Sequence, residues 1–364
     1  MSRAKLGAVP VLSPVRTVTL FVPSLFWPET GDTDTYSGLR LPALETLLSR
    51  GSAADGSCEN EPAWICERFG VQKQTDWPVA PLAFAGDGGE PGAAYWLRAD
   101  PVHLRLHNDR LILLAPETLE ITEDETRELT GALNRQFEAE GFVVHAPHPQ
   151  RWYLKMLQAP KIRTVTLKQA IGRDVNRLLP EGEERLRWHR IFNEMQMLLH
   201  AHPVNTSRED RGVAVVNSLW LWGGGTLPAV VSSTFDATQG DDPLAVGLAR
   251  LAGINTAPLP VGGAFAAGKN TLVDLRNAER EFMRGNVAGW REALETLETR
   301  WFAPLFDRLR SGSIGKAVIA TVANSRRHEW SIMRAALWQI WKRPRPLTHH
   351  TRNVLQQRDS SRLA

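Results

Sequence analysis

Segments that read as strands alternate with segments that read as helices along this chain, and that alternation restricts the fold more than any other feature. The β-branched run RTVTLFVP (residues 16–23) reads as a first strand. LRLPALETLLSRG follows, with Leu44, Leu47 and Leu48 at helical spacing and Gly51 as a stop. Residues 52–92, rich in Gly, Pro and Ala, read as a loop-rich connection with one short helix at PAWICERFG. YWLRADPVHLRLHNDRLILLAP then reads as two strands joined by a turn at residues 107–109. ITEDETRELTGALNRQFEAEG opens with a capping box, Thr122 with Glu125, and repeats Leu129, Leu133 and Phe137 along one face.

RWYLKM and IRTVTL are further strand candidates. The longest helical pattern covers residues 183–201, with Leu186, Ile191, Met195, Leu198 and Leu199 on one side. GVAVVNSLWLW reads as a buried strand, PLAVGLARLAG as a helix stopped by Gly253, and AGWREALETLETRWFAPLFDRLRSG as a longer helix bent at Pro304. KAVIATVA is a late strand. Strands interleaved with helices in this way predict an α/β fold with a largely parallel sheet. No internal repeat is visible.

A chain of 364 residues suits one large α/β unit or two domains. Its 43% hydrophobic and 23% charged residues are ordinary for a globular protein. A net charge of +3 is too small to argue nucleic-acid binding for the whole chain, and no nucleic-acid-binding signature is present. Cys58 and Cys66 are too few for a disulfide framework and read as free thiols. Pro10 and Pro14 interrupt the apolar stretch near the N-terminus, so no signal peptide is expected; no apolar run is long enough to span a membrane. The expectation is a cytoplasmic protein without a membrane partner. After Trp341 the chain carries Lys342, Arg343, Arg345, Arg352, Arg358 and Arg362 against one acid, Asp359. Such a tail can meet phosphate or anionic lipid, but the plainer reading is a solvated terminus.

The strand NSLWLWGGG raises the first functional question. Trp220 and Trp222 share one face of a strand, and three glycines follow them: a core strand ending in a turn, or the wall of a site. HAHPVNTSREDRG, just before it, places His200, His202, Asn205, Arg208 and Arg211 in a short stretch. Arginine forks suit phosphate and carboxylate oxygens; an ordinary loop with Arg208 and Arg211 paired to Glu209 and Asp210 reads equally well. His189 and Glu194 make no recognised metal motif with these histidines, and Asp32 and Asp34 read as an acidic turn. LPVGGAFAAGK lacks phosphate-loop spacing, and Ser57 has no nucleophile-elbow context.

WLRADPVHL, RWYLKM, NEMQMLLHAHPVNTSREDRG and NSLWLWGGGTLP together resemble the RpfE-type regulatory proteins of bacteria, over the whole chain. More distantly, the order of blocks is similar to the archaeal-type cofactor-independent phosphoglycerate mutases of the alkaline-phosphatase superfamily. That resemblance implies a first strand ending in a metal-binding Asp, then a serine nucleophile, here Ser57. It further implies an inserted domain with phosphate-binding arginines, an Asn-x-x-Trp-x-Trp-Gly-x-Gly stretch, and a late strand ending in an Asp-His metal pair. NSLWLWGGG fits the Trp-Gly stretch, while ITEDETRELTGAL and RWYLKM stand where the insert's helix and arginine strand belong.

Two departures stand out. VPSLFW has Ser24 in place of the metal-binding Asp, and VIATVANSRRHEW has Ala323 and Asn324 in place of the Asp-His pair. The resemblance therefore implies an alkaline-phosphatase-like core, residues 1–92 and 213–342, with an inserted α+β domain, residues 93–212, and a flexible basic tail, residues 343–364. In that core the metal centre is degenerate. The implied function is a non-catalytic regulatory or ligand-binding protein without a cofactor, recognising a phosphorylated or carboxylated small molecule or a protein partner. Arg98, His103, Arg151, His202, Asn205, Arg208, Arg211, Asn217, Trp220 and Trp222 are its candidate ligand-binding residues. The alternative is an active divergent 2,3-bisphosphoglycerate-independent phosphoglycerate mutase or a phosphohydrolase. It would use Mn or Zn on ligands recruited from Asp32, Asp34, His200 and His202.

Overall fold

A computed structural model of the chain describes residues 17–27, 33–114, 116–266 and 269–355. In chain order the strands are β1 (Thr17–Phe21), β2 (Ser52–Ser57), β3 (Tyr95–His107), β4 (Arg110–Leu114), β5 (Phe142–His148), β6 (Arg151–Met156) and β7 (Ile162–Arg163). There follow β8 (Glu181–Gly182), β9 (Ser218–Gly225), β10 (Ala237–Gln239), β11 (Asn255–Ala257), β12 (Thr271–Asp274), β13 (Lys316–Ala323) and β14 (Arg326–Met333).

Seven of these form one sheet in the order β11-β10-β12-β1-β13-β14-β2. Its first five strands run parallel, and β14 and β2 add an antiparallel edge. Both faces are covered, as a parallel sheet requires. Val18, Leu20 and Val22 of the β1 segment pack on one side with Leu44, Leu47 and Leu48 of the helix Pro42–Arg50, and with Trp290 and Leu294 of the helix Val287–Leu297. Phe21 faces the other way and stacks on Trp64, with ring centroids 4.3 Å apart. The mixed α/β fold with a mostly parallel sheet is the one the alternation predicts.

The second sheet is antiparallel, ordered β4-β3-β6-β5, with β9 also pairing β3. Leu97, Leu219 and Leu221 face the helices Glu123–Gln136 and Arg185–His200, whereas Trp96, Tyr153, Trp220 and Trp222 face the helix Val79–Gly86 and the core shared with the first sheet. The Trp-rich strand β9 thus closes the second sheet instead of returning to the first. The register explains this: Trp222 lies opposite Arg98 and Trp220 opposite Asp100 of β3.

Other local differences have simple causes. SAADGS forms edge strand β2 despite its small residues, because β14 supplies the ladder from Ser331 to Arg326. IRTVTL yields only the two residues of β7, since Thr166 and Gln169 form a capping box that starts a helix at Leu167. The long helix near residue 300 is interrupted by a π-helical turn, Glu298–Phe302, just before Pro304. Of the tail, Leu347–Leu355 is a helix that buries Leu347, Thr351 and Val354.

Candidate functional site at the C-terminal edge of the parallel sheet

The C-terminal ends of β1 and β12 lie side by side, on the edge where open α/β sheets bind their ligands. Beyond β1 the chain reaches Ser24, which is buried with φ 56°. A residue with a Cβ enters that left-handed region at a cost of about 1 kcal/mol. Trp290 holds it there, its indole Nε1 donating to the Ser24 carbonyl oxygen at 2.8 Å.

The Ser24 hydroxyl accepts from Lys168 Nζ at 2.8 Å. The same ammonium donates to Glu61 Oε1 at 2.5 Å and to Glu279 Oε1 at 2.9 Å, which gives each of its three protons an acceptor. Lys168 comes from the short helix Leu167–Ala170 that follows β7. Glu61 opens the helix Glu61–Arg68 after β2, where the Asn60 side chain caps by accepting from the Ala63 N–H. Glu279 lies on the helix Asn277–Met283 after β12.

Arg276 extends the network. Its Nη1 donates to Glu279 Oε2 at 2.7 Å and its Nε to Asp274 Oδ2 at 2.9 Å, with Asp242 Oδ2 at 3.2 Å. Burial alone would favour the neutral amine of Lys168, but the Glu279 and Glu61 carboxylates outweigh it and raise its pKa. Burial likewise opposes the Glu279 carboxylate, yet Lys168 and Arg276 hold it below the usual range. Asp274 moves the other way: burial pushes it up to about 7 against the pull of Arg276, and the Asp242 charge adds to the rise. Among the described residues its Oδ1 has no hydrogen-bond partner.

Divalent metal ions, which the mutase resemblance implies here, do not fit these residues. Ser24 offers a neutral hydroxyl, Lys168 already sits between two of the carboxylates, and Arg276 binds Glu279 as well as Asp274. An incoming dication would meet two fixed positive charges within a few ångströms. Among the described residues no group of three or more His, Cys, Asp or Glu is placed to hold a metal ion. Ala323 ends β13, and Asn324 (φ 51°) and Ser325 (φ 56°) make the tight hairpin to β14. Ser57 ends β2, exposed and opposite Arg326. Ser57 lies on the edge strand, three strands from β1 in the sheet order, and Glu61 of the Lys168 cluster follows it four residues later in the chain. Asp32 and the Asp34 side chain lie outside the described residues.

The sequence-predicted ligand residues gather in two other places. In the first, Arg98 donates to Asp100 Oδ1 at 2.5 Å between the rings of Tyr153 and Trp222, and Trp222 Nε1 donates to Asp100 Oδ2 at 2.6 Å. Nearby, Arg151 makes a two-point contact with Asp87, at 2.7 and 3.1 Å, and Tyr153 donates to the same carboxylate at 2.7 Å. In the second, buried Arg208 and exposed Arg211 share Glu125, the capping-box residue, at 2.6 and 2.5 Å.

The remaining candidates brace backbone. Asn205 bonds Leu199 and Val216, Asn217 bonds both backbone groups of Leu104, and His103 Nδ1 lies 2.9 Å from the Val215 carbonyl. His202 caps the helix Pro203–Asp210, and Trp220 Nε1 donates to the Val165 carbonyl. The β9 glycines admit neighbours closely: a Cβ on Gly223 would meet Val79, one on Gly224 the Tyr95 hydroxyl at 2.3 Å, and one on Gly225 Pro78.

Sequence reasoning overlooked Lys168, Glu61, Arg276, Glu279 and Asp274. The usable signal was TLVDLRNAER, a short apolar strand that ends in an acid, with Arg two residues later and Glu three beyond that.

No family model matches the chain. In sequence it is 28% identical over 155 residues to the probable 2,3-bisphosphoglycerate-independent phosphoglycerate mutase of Geobacter sulfurreducens, covering 42% of this chain and 39% of that protein. Against the corresponding mutase of Aeropyrum pernix it is 25% identical over 170 residues, covering 39% of this chain and 40% of that protein. The chain is a distant relative of the cofactor-independent phosphoglycerate mutases. The matches span about two fifths of those relatives' length. Among solved structures, the cofactor-independent phosphoglycerate mutase of Thermoplasma acidophilum aligns with a TM-score of 0.42 and 15% identity, over 88% of this chain and 90% of that one. The PH0037 protein of Pyrococcus horikoshii aligns with a TM-score of 0.48 and 12% identity, over 88% and 87%.

Proposed function

We propose that this protein is a non-catalytic relative of the phosphoglycerate mutases that acts in regulation by binding a phosphorylated or carboxylated small molecule. One observation carries the non-catalytic half. The Lys168 ammonium bonds Ser24, Glu61 and Glu279 together at the sheet edge, where the mutase resemblance implies metal ions. With Lys168 and Arg276 already supplying the positive charge, this edge would hold the activating metal ions far more weakly, and Ser57, the nucleophile that the resemblance implies, would lack its activator. The regulatory half rests on the RpfE-type strings NEMQMLLHAHPVN and NSLWLWGGG.

The test is a phosphoglycerate mutase assay with added manganese, run beside a calorimetric titration with 3-phosphoglycerate. The reading expects measurable binding without turnover. Turnover that disappears on Ser57→Ala would overturn it.

A further inference from the structure

Residues 330–358 contain no Asp or Glu, and three large apolar side chains after Met333 face outward. Trp338 is 65% exposed, Ile340 75% and Trp341 74%, beside the half-exposed Met333. Large apolar groups left in water as a cluster mark a contact surface. Backbone bonds from Ile340 N–H to the Trp338 carbonyl and from Lys342 N–H to the Gln339 carbonyl fold this stretch into a tight turn, which keeps the three exposed side chains within one small area of surface.

The patch is held in place. Leu337 and Leu347 are buried on either side of it, and Arg50 donates to the Leu337 carbonyl at 2.7 Å and the Lys342 carbonyl at 3.5 Å. Around it stand Arg334, Lys342, Arg343 and Arg345, all exposed. Among the described residues none of the four is paired with a carboxylate; Arg334 donates to the Arg310 carbonyl and Arg345 meets His349.

We infer that this patch is a docking surface for an anionic membrane. Indole rings sit at the boundary between headgroup and acyl chain, and adjacent Lys and Arg are attracted to anionic lipid. The aliphatic Ile340 and Met333 favour a bilayer over nucleic acid, because base stacking uses flat rings and gains little from branched or linear chains. Surface attachment of this kind needs no spanning segment, and no described helix is long and apolar enough to cross a membrane. The inference stands on different residues from the sheet edge and is independent of how that site functions.

The experiment is co-flotation of the full-length protein with two kinds of vesicle: phosphatidylcholine alone, and phosphatidylcholine mixed with phosphatidylglycerol. Tryptophan emission is followed in parallel. Wild-type protein binds the anionic vesicles about tenfold or more tightly than the neutral ones, with a blue shift, and salt weakens the binding. Trp338→Ala/Trp341→Ala removes the shift and the binding, and Arg343→Glu/Arg345→Glu removes the preference for anionic lipid, with near-ultraviolet circular dichroism confirming both folds. Equal binding by wild type and the double-Trp variant overturns the inference. So does binding to a single-stranded RNA oligonucleotide without vesicle binding, or a Trp-dependent dimer that ignores vesicles.

Discussion

Lys168 Nζ lies 2.5 Å from Glu61 Oε1, and the two residues reach each other from different parts of the fold. The lysine belongs to the excursion that builds the second sheet, the glutamate to the first turn of the helix after β2. Their contact closes the C-terminal edge of the parallel sheet with the protein's own cation.

Removing that cation leaves two buried carboxylates facing a neutral hydroxyl. Lys168→Met should lower unfolding free energy by about 3–5 kcal/mol, the usual penalty for breaking a buried ion pair from one side. Urea denaturation measures it. Adding Glu61→Gln should recover part of the loss, because Glu279 keeps Arg276 whereas Glu61 has no other cation among the described residues; no recovery would show that Lys168 matters for packing alone.

Arg208 and Arg211 make the same kind of ion pair with Glu125 but differ in exposure. Arg208 is 1% exposed and also bonds the Ala214 and Leu119 carbonyls, so Arg208→Ala should destabilise by about 3–5 kcal/mol. The Arg211 side chain is 52% exposed, and Arg211→Ala should change stability by under about 1 kcal/mol. If both are silent for stability yet abolish ligand binding, these arginines serve a ligand and not the fold.

Gly224 tests what the glycines of β9 are for. An alanine Cβ there falls 2.3 Å from the Tyr95 hydroxyl, so Gly224→Ala should destabilise by about 1–3 kcal/mol through overpacking. Tyr95→Phe should restore part of that loss. A Gly224→Ala variant as stable as wild type would favour the idea that the glycines hold space open at a cleft.

His350 gives a pH dependence with a definite sign. Burial lowers its pKa from 6.5 to about 4, and His349 and Arg345 add repulsion. Between those values the unfolded chain binds a proton that the folded chain does not, so stability falls as pH drops through the window. Allowing for solvent screening, the loss is about 1–2 kcal/mol. His350→Gln should flatten this limb in denaturation curves measured from pH 7 to pH 4.

The fold was legible where local signals agreed with tertiary context. RTVTLFVP, PLAVGLARLAG and the Thr122–Glu125 capping box carry strand, helix and cap in their own residues, and each forms as read. SAADGS was not legible, because its strand character comes from β14 and not from its side chains. The Trp face was read correctly as shared, but which sheet β9 joins depends on pairing with β3, and pairing is not a local property.

The site was half legible. Ser24 announced itself through the resemblance, as an absent carboxylate. What took the space was hidden, because Lys168, Glu61, Arg276 and Glu279 are scattered along the chain and meet only in three dimensions.

The most direct measurement is the metal content of purified protein after dialysis against manganese and zinc, by inductively coupled plasma mass spectrometry. If Lys168 and Arg276 supply the positive charge at the sheet edge, wild-type protein retains neither metal in stoichiometric amount. Two tightly held ions per chain, lost when Glu61 and Glu279 are replaced, would contradict the account.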